Sequence, residues 1–423
     1  MTSAIVFIGV TLFLGQVFSS LFEKTRLPDV LPLMLLGMVM GPLSGWVRPE
    51  EFGQFGRIFT TLALIVVLFR SGVEFRLLSL RGAMGQGFLL TTAAFTLITL
   101  ALAWLAHLFL GVNRLYGLII GAIVADNSTA VITPLVAKLN IARKTKAILF
   151  LEANVTGVYS IVVAMALLGL AAKGGELSSY AVGISLLRSF GIGVGLSVMA
   201  GFFWMRILNR VRDLENAVSL TFAFVLLVYG LSEYAGGDGA IATLVFGTVA
   251  GNLRLIKKLW LKKLNFQAIA LNQGEKSFFA EVEFIFKTLF FVYMGMSMRV
   301  GRWDLALLGL AFCVAKLLVR APCVNWFTGK SISRGDCSVM LAMCPNGLVS
   351  AVLAAIIAQQ LPAEGAVIQD VIYSVIFFSV LLSGLMSFRL EKGGLQWIGR
   401  AFFARHAQSA AADKNSQTES QGL

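Results

Sequence analysis

Long apolar runs separated by short polar segments set the pattern of this chain. About thirteen such runs occur, each near the roughly 20 residues that a helix needs to cross a bilayer. Their limits are 4–22, 29–46, 57–75, 85–111, 114–137, 147–172, 182–205, 214–233, 239–253, 281–299, 303–320, 336–358 and 369–388. The runs are continuous and do not alternate with polar residues, which favours helices over barrel strands. The pattern predicts an all-α polytopic membrane protein with about 13 transmembrane helices.

The composition agrees with a membrane protein and excludes most soluble classes. Of 423 residues, 57% are hydrophobic and 13% are charged, and the mean hydropathy is +0.82. A soluble domain has roughly 25% charged residues. The four cysteines lie in or near apolar runs and predict no disulfide framework. Motifs for ATP binding, zinc proteases and serine hydrolases do not occur in the sequence, so neither an enzyme nor a cofactor is predicted.

The net charge of +13 is explained by topology without a nucleic-acid partner. When the N-terminus is placed outside and the segments alternate, most of the 35 Lys and Arg residues fall on the inside. This predicts a multi-pass inner (plasma) membrane protein with a cytoplasmic C-terminus. The basic stretch 254–264 predicts an amphipathic helix that opens a cytoplasmic linker, 254–280. Residues 391–423 form a predicted cytoplasmic tail that is disordered at its end.

Two halves of the chain share a glycine pattern. The second run ends in Gly37-Met-Val-Met-Gly41, and the ninth contains Gly247-Thr-Val-Ala-Gly251. Likewise, the third run closes with Phe69-Arg-Ser-Gly72 and the tenth with Tyr293-Met-Gly295. Because the matched runs differ by seven in number, the halves have opposite orientations, as in transporters built from inverted repeats. The predicted repeats are 5–172 and 214–388, within a membrane domain of residues 1–390.

The repeat predicts that the fifth and twelfth runs are discontinuous helices. The fifth run is interrupted by Asp126-Asn127-Ser128-Thr129 and Pro134, and the twelfth by Cys344-Pro345-Asn346-Gly347. Polar, Pro and Gly residues at membrane depth are tolerated where they line a cavity or pack within the protein. Facing half-helix ends supply dipoles and free carbonyls that suit an ion.

Two carboxylates within the runs are candidate site residues, because intramembrane ionisable groups are costly. Asp126 lies in the fifth run beside the break, and Glu152 lies in the sixth run with Thr156 one turn later. A carboxylate that takes either a cation or a proton and faces each side in turn performs antiport. The oxygen ligands nearby suit an alkali cation more than a soft metal, and they belong to Asn127, Ser128, Thr129 and Thr156.

Two basic residues within the runs have more than one interpretation. Lys287 in the tenth run either extends to the membrane interface or pairs with a carboxylate. Arg70 in the third run precedes Glu74 by one turn, and this spacing predicts a structural ion pair.

Over residues 5–390 the chain resembles the monovalent cation:proton antiporter superfamily, the sodium/proton exchangers, as a divergent member. The motifs that carry the resemblance are Leu27-Pro-Asp-Val-Leu, Gly41-Pro42, Gly236-Gly-Asp-Gly-Ala-Ile-Ala242, Phe290-Phe-Val-Tyr-Met-Gly295 and Pro345-Asn-Gly-Leu-Val-Ser-Ala-Val-Leu353. The resemblance implies a core domain with crossed broken helices, a dimer domain, a homodimer, and elevator-type exchange of Na⁺ or K⁺ for H⁺.

The chain departs from the family pattern at two charged positions. Glu152 is kept and Thr156 follows it, but Gly157 stands where the resemblance implies an ion-binding Asp. Asn346 stands where the resemblance implies an Arg that pairs with the glutamate. We expect Asp126 to supply the missing carboxylate and Lys287 to supply the missing base for Glu152.

The sequence predicts a secondary active transporter that exchanges a monovalent cation (Na⁺ or K⁺) for H⁺ across the lipid bilayer by alternating access. One alternative is the same fold with altered coupling: a uniporter, a channel or a carrier of another solute. A second is a non-transporting membrane sensor or scaffold that acts through 254–264. The predicted cation and proton site comprises Asp126, Asn127, Ser128, Thr129, Glu152 and Thr156. Beside it, Lys287 is the predicted core charge, and the predicted helix break is formed by Pro345, Asn346 and Gly347.

Overall fold

The computed structural model describes residues 2–25, 28–46, 53–75, 85–172, 180–211, 217–260, 273–299, 301–328, 332–361, 364–391 and 401–403. Within these ranges the chain forms fifteen α-helices and one π-helical turn, and no strand. The first half contains α1 Thr2–Thr25, α2 Val30–Met38 with the π-helical turn Val39–Leu43, α3 Gly53–Glu74, α4 Gly85–Leu110, α5 Arg114–Val124, α6 Thr129–Lys138, α7 Arg143–Ala172 and α8 Tyr180–Val211. The second half contains α9 Ala217–Tyr234, α10 Gly239–Trp260, α11 Gln273–Ser297, α12 Trp303–Phe327, α13 Arg334–Ala342, α14 Leu348–Gln360 and α15 Gly365–Glu391.

The helices follow the predicted runs, so the all-α fold class is confirmed. The two predicted interruptions are also confirmed: the fifth run divides into α5 and α6, and the twelfth into α13 and α14. Six helical segments in the described part of the chain are long and apolar enough to cross a membrane. The predicted end of the eleventh run at residue 320 is wrong, because α12 continues to Phe327. That extension places Arg320 within the helix and not at its end.

The shared glycines lie where helices of the two halves touch. A Cβ on Gly37 of α2 would collide with the backbone of Val292 in α11. A Cβ on Gly247 of α10 would collide with the backbone of Phe69 in α3. Small residues of this kind let helix backbones approach closely in a membrane. In the predicted repeats, α2 corresponds to α10 and α3 corresponds to α11. The α2–α11 contact is therefore equivalent to the α10–α3 contact, as expected for inverted repeats.

The helices form two groups that enclose the site between them. The core group consists of α4–α7 and α12–α15, and the scaffold group of α1–α3 and α8–α11. The groups meet where α14 packs on α3 and where α7 contacts α8 and α10. The predicted linker 254–280 is too long, because α10 continues to Trp260 and α11 already begins at Gln273. Residues 261–272 lie outside the described residues, as does the predicted tail apart from residue 391 and residues 401–403.

Candidate functional site

The two helix breaks cross at the centre of the core group. The backbone N–H of Ser128, in the first break, donates a hydrogen bond to the carbonyl of Pro345, in the second, at 2.7 Å. The close approach of the two breaks requires a glycine at position 347, because a Cβ on Gly347 would lie 2.5 Å from the Cβ of Ser128. The interrupted helices are therefore joined directly at their breaks.

Asn346 closes the end of the half-helix α5. Its side-chain amide nitrogen donates to the carbonyls of Ile123, Val124 and Asp126, at 3.2, 3.0 and 3.1 Å. The Lys316 ammonium donates to the Asp126 carbonyl at 2.7 Å and to the Asn346 Oδ1 at 3.0 Å. The last carbonyls of a helix lack partners within the helix and carry its negative dipole end. A buried amide and a buried cation therefore satisfy this end of α5.

Asp126 places a carboxylate beside that cation. The residue is 1% exposed. Its Oδ2 accepts a hydrogen bond from the Ser350 hydroxyl at 3.1 Å, while its Oδ1 has no hydrogen-bond partner among the described residues. The Asn127 Oδ1 likewise has none there. Burying such oxygens without partners is costly, so a bound cation or proton at Asp126 would be favoured.

Glu152 is paired with Arg320, and both side chains are buried. Two parallel hydrogen bonds join the guanidinium to the carboxylate, one of them from Nη2 to Oε2 at 2.8 Å. The Arg320 Nε donates to the Met340 carbonyl at 2.9 Å. The Asn127 side-chain amide donates to the Glu152 Oε1 at 3.2 Å. This pair compensates the charge of Glu152 and anchors the first break to α7, α12 and α13.

The predicted pairing of Lys287 with Glu152 is wrong. Lys287 forms an ion pair with Asp29, at 2.7 Å between Nζ and Oδ2. The physical reason is that Lys287 lies on α11 in the scaffold group, whereas Arg320 reaches Glu152 from within the core group. The predicted Arg70–Glu74 pair is confirmed at 2.9 Å.

A cavity of about 380 Å³ lies between the two groups. Its lining includes predicted site residues from the core group and charged residues from the scaffold group: Asp126, Asn127, Ser128, Thr129, Arg70, Glu74, Glu283 and Lys287. Gly157 also borders it, and a Cβ on Gly157 would meet the Asp126 Oδ1 at 3.6 Å. Thr156 does not line the cavity. Its hydroxyl accepts a hydrogen bond from the backbone N–H of Asn127 at 3.1 Å. The structure thus brings the predicted residues 126–129 together in the cavity lining, whereas Glu152 and Thr156 contact Asn127 without lining the cavity.

Sequence reasoning missed three site residues: Lys316, Arg320 and Ser350. Lys316 and Arg320 are four residues apart and therefore share one face of α12. Ser350 follows Asn346 by the same spacing and accepts a hydrogen bond from its amide at 3.1 Å. Two basic residues on one face of an apolar run were a signal that could have identified the first two.

Comparison with protein families gives one match over most of the chain. The model of the sodium/hydrogen exchanger transmembrane family matches residues 9–392.

Relatives and solved structures agree with that match. The K⁺/H⁺ antiporter NhaP2 of Shewanella oneidensis is 25% identical over 228 residues, which cover 52% of this chain and 40% of that protein. Sodium/hydrogen exchanger 8 of Arabidopsis thaliana is 24% identical over 261 residues, covering 58% and 34%. The chain spans less than half the length of these relatives. The structure of the sodium proton antiporter MjNhaP1 of Methanocaldococcus jannaschii superposes with a TM-score of 0.74 at 20% identity, covering 91% of this chain and 99% of that one. At this identity, the superposition establishes a shared fold.

Proposed function

The chain belongs to the sodium/hydrogen exchanger family, and from that premise we propose that it exchanges a monovalent alkali cation, Na⁺ or K⁺, for H⁺ across the membrane. The names of its relatives, K⁺/H⁺ antiporter and sodium/hydrogen exchanger, support this proposal. Asp126 is the group that binds the cation and the proton in turn.

The observation that carries the proposal is the position of the Asp126 carboxylate. It borders the cavity beside Gly157, where the family resemblance implies an acidic residue. Of the acidic residues that the structure describes in the core group, Asp126 lines the cavity, whereas Glu152 is held by Arg320. Asp126 therefore supplies the negative charge that the glycine lacks.

Competition for one carboxylate couples the two ions. When Asp126 is ionised, its Oδ1 and the neighbouring Asn127 Oδ1 offer oxygen ligands to a cation in the cavity. When Asp126 is protonated, the negative charge that attracts the cation is lost. Movement of the core group against the scaffold group would expose this carboxylate to the two sides in turn, as in other transporters with discontinuous helices.

Asn346 and Lys316 hold the carboxylate in place and do not bind the transported ion. The ammonium donates to the backbone of Asp126 and not to its free carboxylate oxygen. The compensation of the Glu152 charge that the resemblance assigns to an Arg at position 346 is supplied here by Arg320.

The test uses purified protein in liposomes that contain a pH-sensitive dye. Pulses of K⁺, Na⁺ or Li⁺ should move protons in the wild type, and Asp126→Asn should abolish this movement. The matched control is Asp304→Asn, which removes an exposed carboxylate at the start of α12 and should leave exchange unchanged. Full, pH-dependent exchange by Asp126→Asn would refute the role of the carboxylate.

We further propose the topology and assembly of the protein. The N-terminus lies outside, the C-terminal tail 391–423 lies in the cytoplasm, and the protein forms a homodimer in the inner membrane. The distribution of Lys and Arg supports the orientation. The inverted repeats 5–172 and 214–388 belong to the same proposal, as does a cytoplasmic linker between α10 and α11.

A further inference from the structure

The space beside Asp126 is open because residue 157 is a glycine. Within 4 Å of a Cβ built on Gly157, the one atom met outside the helix's own neighbouring backbone is the Asp126 Oδ1, at 3.6 Å. Both residues line the cavity. A longer side chain at position 157 would therefore extend into the region where a cation bound to Asp126 would lie.

The charges around this space balance one another. Four ionisable side chains of the core group are buried at the crossing: Asp126, Glu152, Lys316 and Arg320. Arg320 neutralises Glu152, and the Lys316 ammonium touches the backbone of Asp126. From the core group, a cation in the cavity thus meets one carboxylate, and a nearby ammonium weakens its field. The scaffold-group carboxylates that line the cavity, Glu74 and Glu283, are both paired with Arg70. The further ligand that the Asn127 Oδ1 offers is neutral.

We infer that this site prefers K⁺ to Na⁺ and Li⁺, and that Gly157 determines the preference; the inference rests on the proposed exchange at Asp126. Ion selectivity follows the size of the cavity and the field strength of its ligands. A small cation holds its water more tightly and needs closely spaced, charged oxygens to replace it. A roomy site with one carboxylate and neutral oxygens supplies too weak a field for Na⁺, whereas K⁺ loses its water at lower cost.

The experiment compares wild type, Gly157→Ala and Gly157→Asp in liposomes, with the half-saturating concentrations of K⁺, Na⁺ and Li⁺ measured at one pH. The wild type should need about tenfold less K⁺ than Na⁺, a difference of about 1.4 kcal/mol in binding free energy. Gly157→Ala adds a methyl group for which the structure has room, so it should keep the preference for K⁺. Gly157→Asp adds a second carboxylate and should shift the preference to Na⁺ or Li⁺.

A second measurement keeps the inference testable if a variant does not fold or does not transport. The unfolding temperature of the wild type in detergent is measured in KCl, NaCl and choline chloride of equal ionic strength. Greater stabilisation by K⁺ supports the inference, because a ligand stabilises the state that binds it. Exchange by the wild type with a preference for Na⁺ or Li⁺ would overturn the inference and leave the proposed function intact. Absence of proton movement with every cation would contradict the proposed function, and the detergent measurement would then decide the cation preference alone.

Discussion

Removing Arg320 should expose the energetic cost of the buried charge pair. The guanidinium is 0% exposed and its partner carboxylate on Glu152 is 1% exposed. Arg320→Met keeps a long apolar side chain but leaves the carboxylate buried, with the Asn127 amide as its remaining partner among the described residues. Breaking one side of a buried pair typically costs about 3–5 kcal/mol. We expect the free energy of unfolding to fall by about that amount.

The second substitution tests whether the cost comes from an uncompensated charge. Glu152→Gln on the Arg320→Met background removes the charge and keeps an oxygen that can accept from Asn127. We expect the double variant to be more stable than Arg320→Met alone, because replacing both ions of a buried pair is often nearly neutral. The free energies would be measured by SDS titration in mixed micelles and compared as a double-mutant cycle.

The control for this cycle is the exposed pair Arg302–Asp304, which should show no measurable coupling. The reasoning would be refuted if Arg320→Met cost less than about 1 kcal/mol. It would also be refuted if the two core substitutions simply added, since additive effects mean that the residues do not interact.

Three further predictions concern residues around the site. Lys287→Met should lower the unfolding temperature and retain cation-driven proton movement in liposomes, because this lysine pairs with Asp29 within the scaffold group. Complete loss of exchange would mean that Lys287 takes part in the ion site. Asn346→Ala should lower the free energy of unfolding by about 1–3 kcal/mol, because carbonyls at the end of α5 lose their donor; an unchanged value in SDS titration would contradict this. Gly247→Ala should destabilise the α3–α10 contact by about 1–3 kcal/mol in the same titration. The matched control Gly191→Ala, where a Cβ meets nothing within 4 Å, should leave the free energy of unfolding unchanged. Equal losses of stability in the two glycine variants would contradict the close contact at Gly247.

The fold could be predicted from the sequence because the bilayer restricts each spanning segment to one kind of structure. Without water to satisfy the backbone, long apolar runs must be helices. The two breaks were visible because residues such as Pro345 and Asp126 are costly at membrane depth unless they serve a site. The glycine pattern predicted the pairing of repeats, since Gly37 and Gly247 mark equivalent close contacts.

The partners of the charged residues could not be predicted in the same way. Sequence spacing gives neighbours along one helix, as for Arg70 and Glu74, but not contacts between helices. Lys287 was matched to the wrong carboxylate because the division into core and scaffold groups appears only in three dimensions. Arg320 was missed because it stands at the predicted end of an apolar run, whereas in the structure it lies within α12 and a buried carboxylate compensates its charge.

The most direct test of the account is the pH dependence of the half-saturating cation concentration of the wild type in liposomes. If K⁺ and H⁺ compete for the carboxylate of Asp126, this concentration should rise as the pH falls, approaching about tenfold per pH unit where the protonated form dominates. The maximal rate at saturating K⁺ should change much less over the same range. A half-saturating concentration that stays constant while the maximal rate falls would mean that the proton acts at another site, and it would contradict exchange on a single carboxylate.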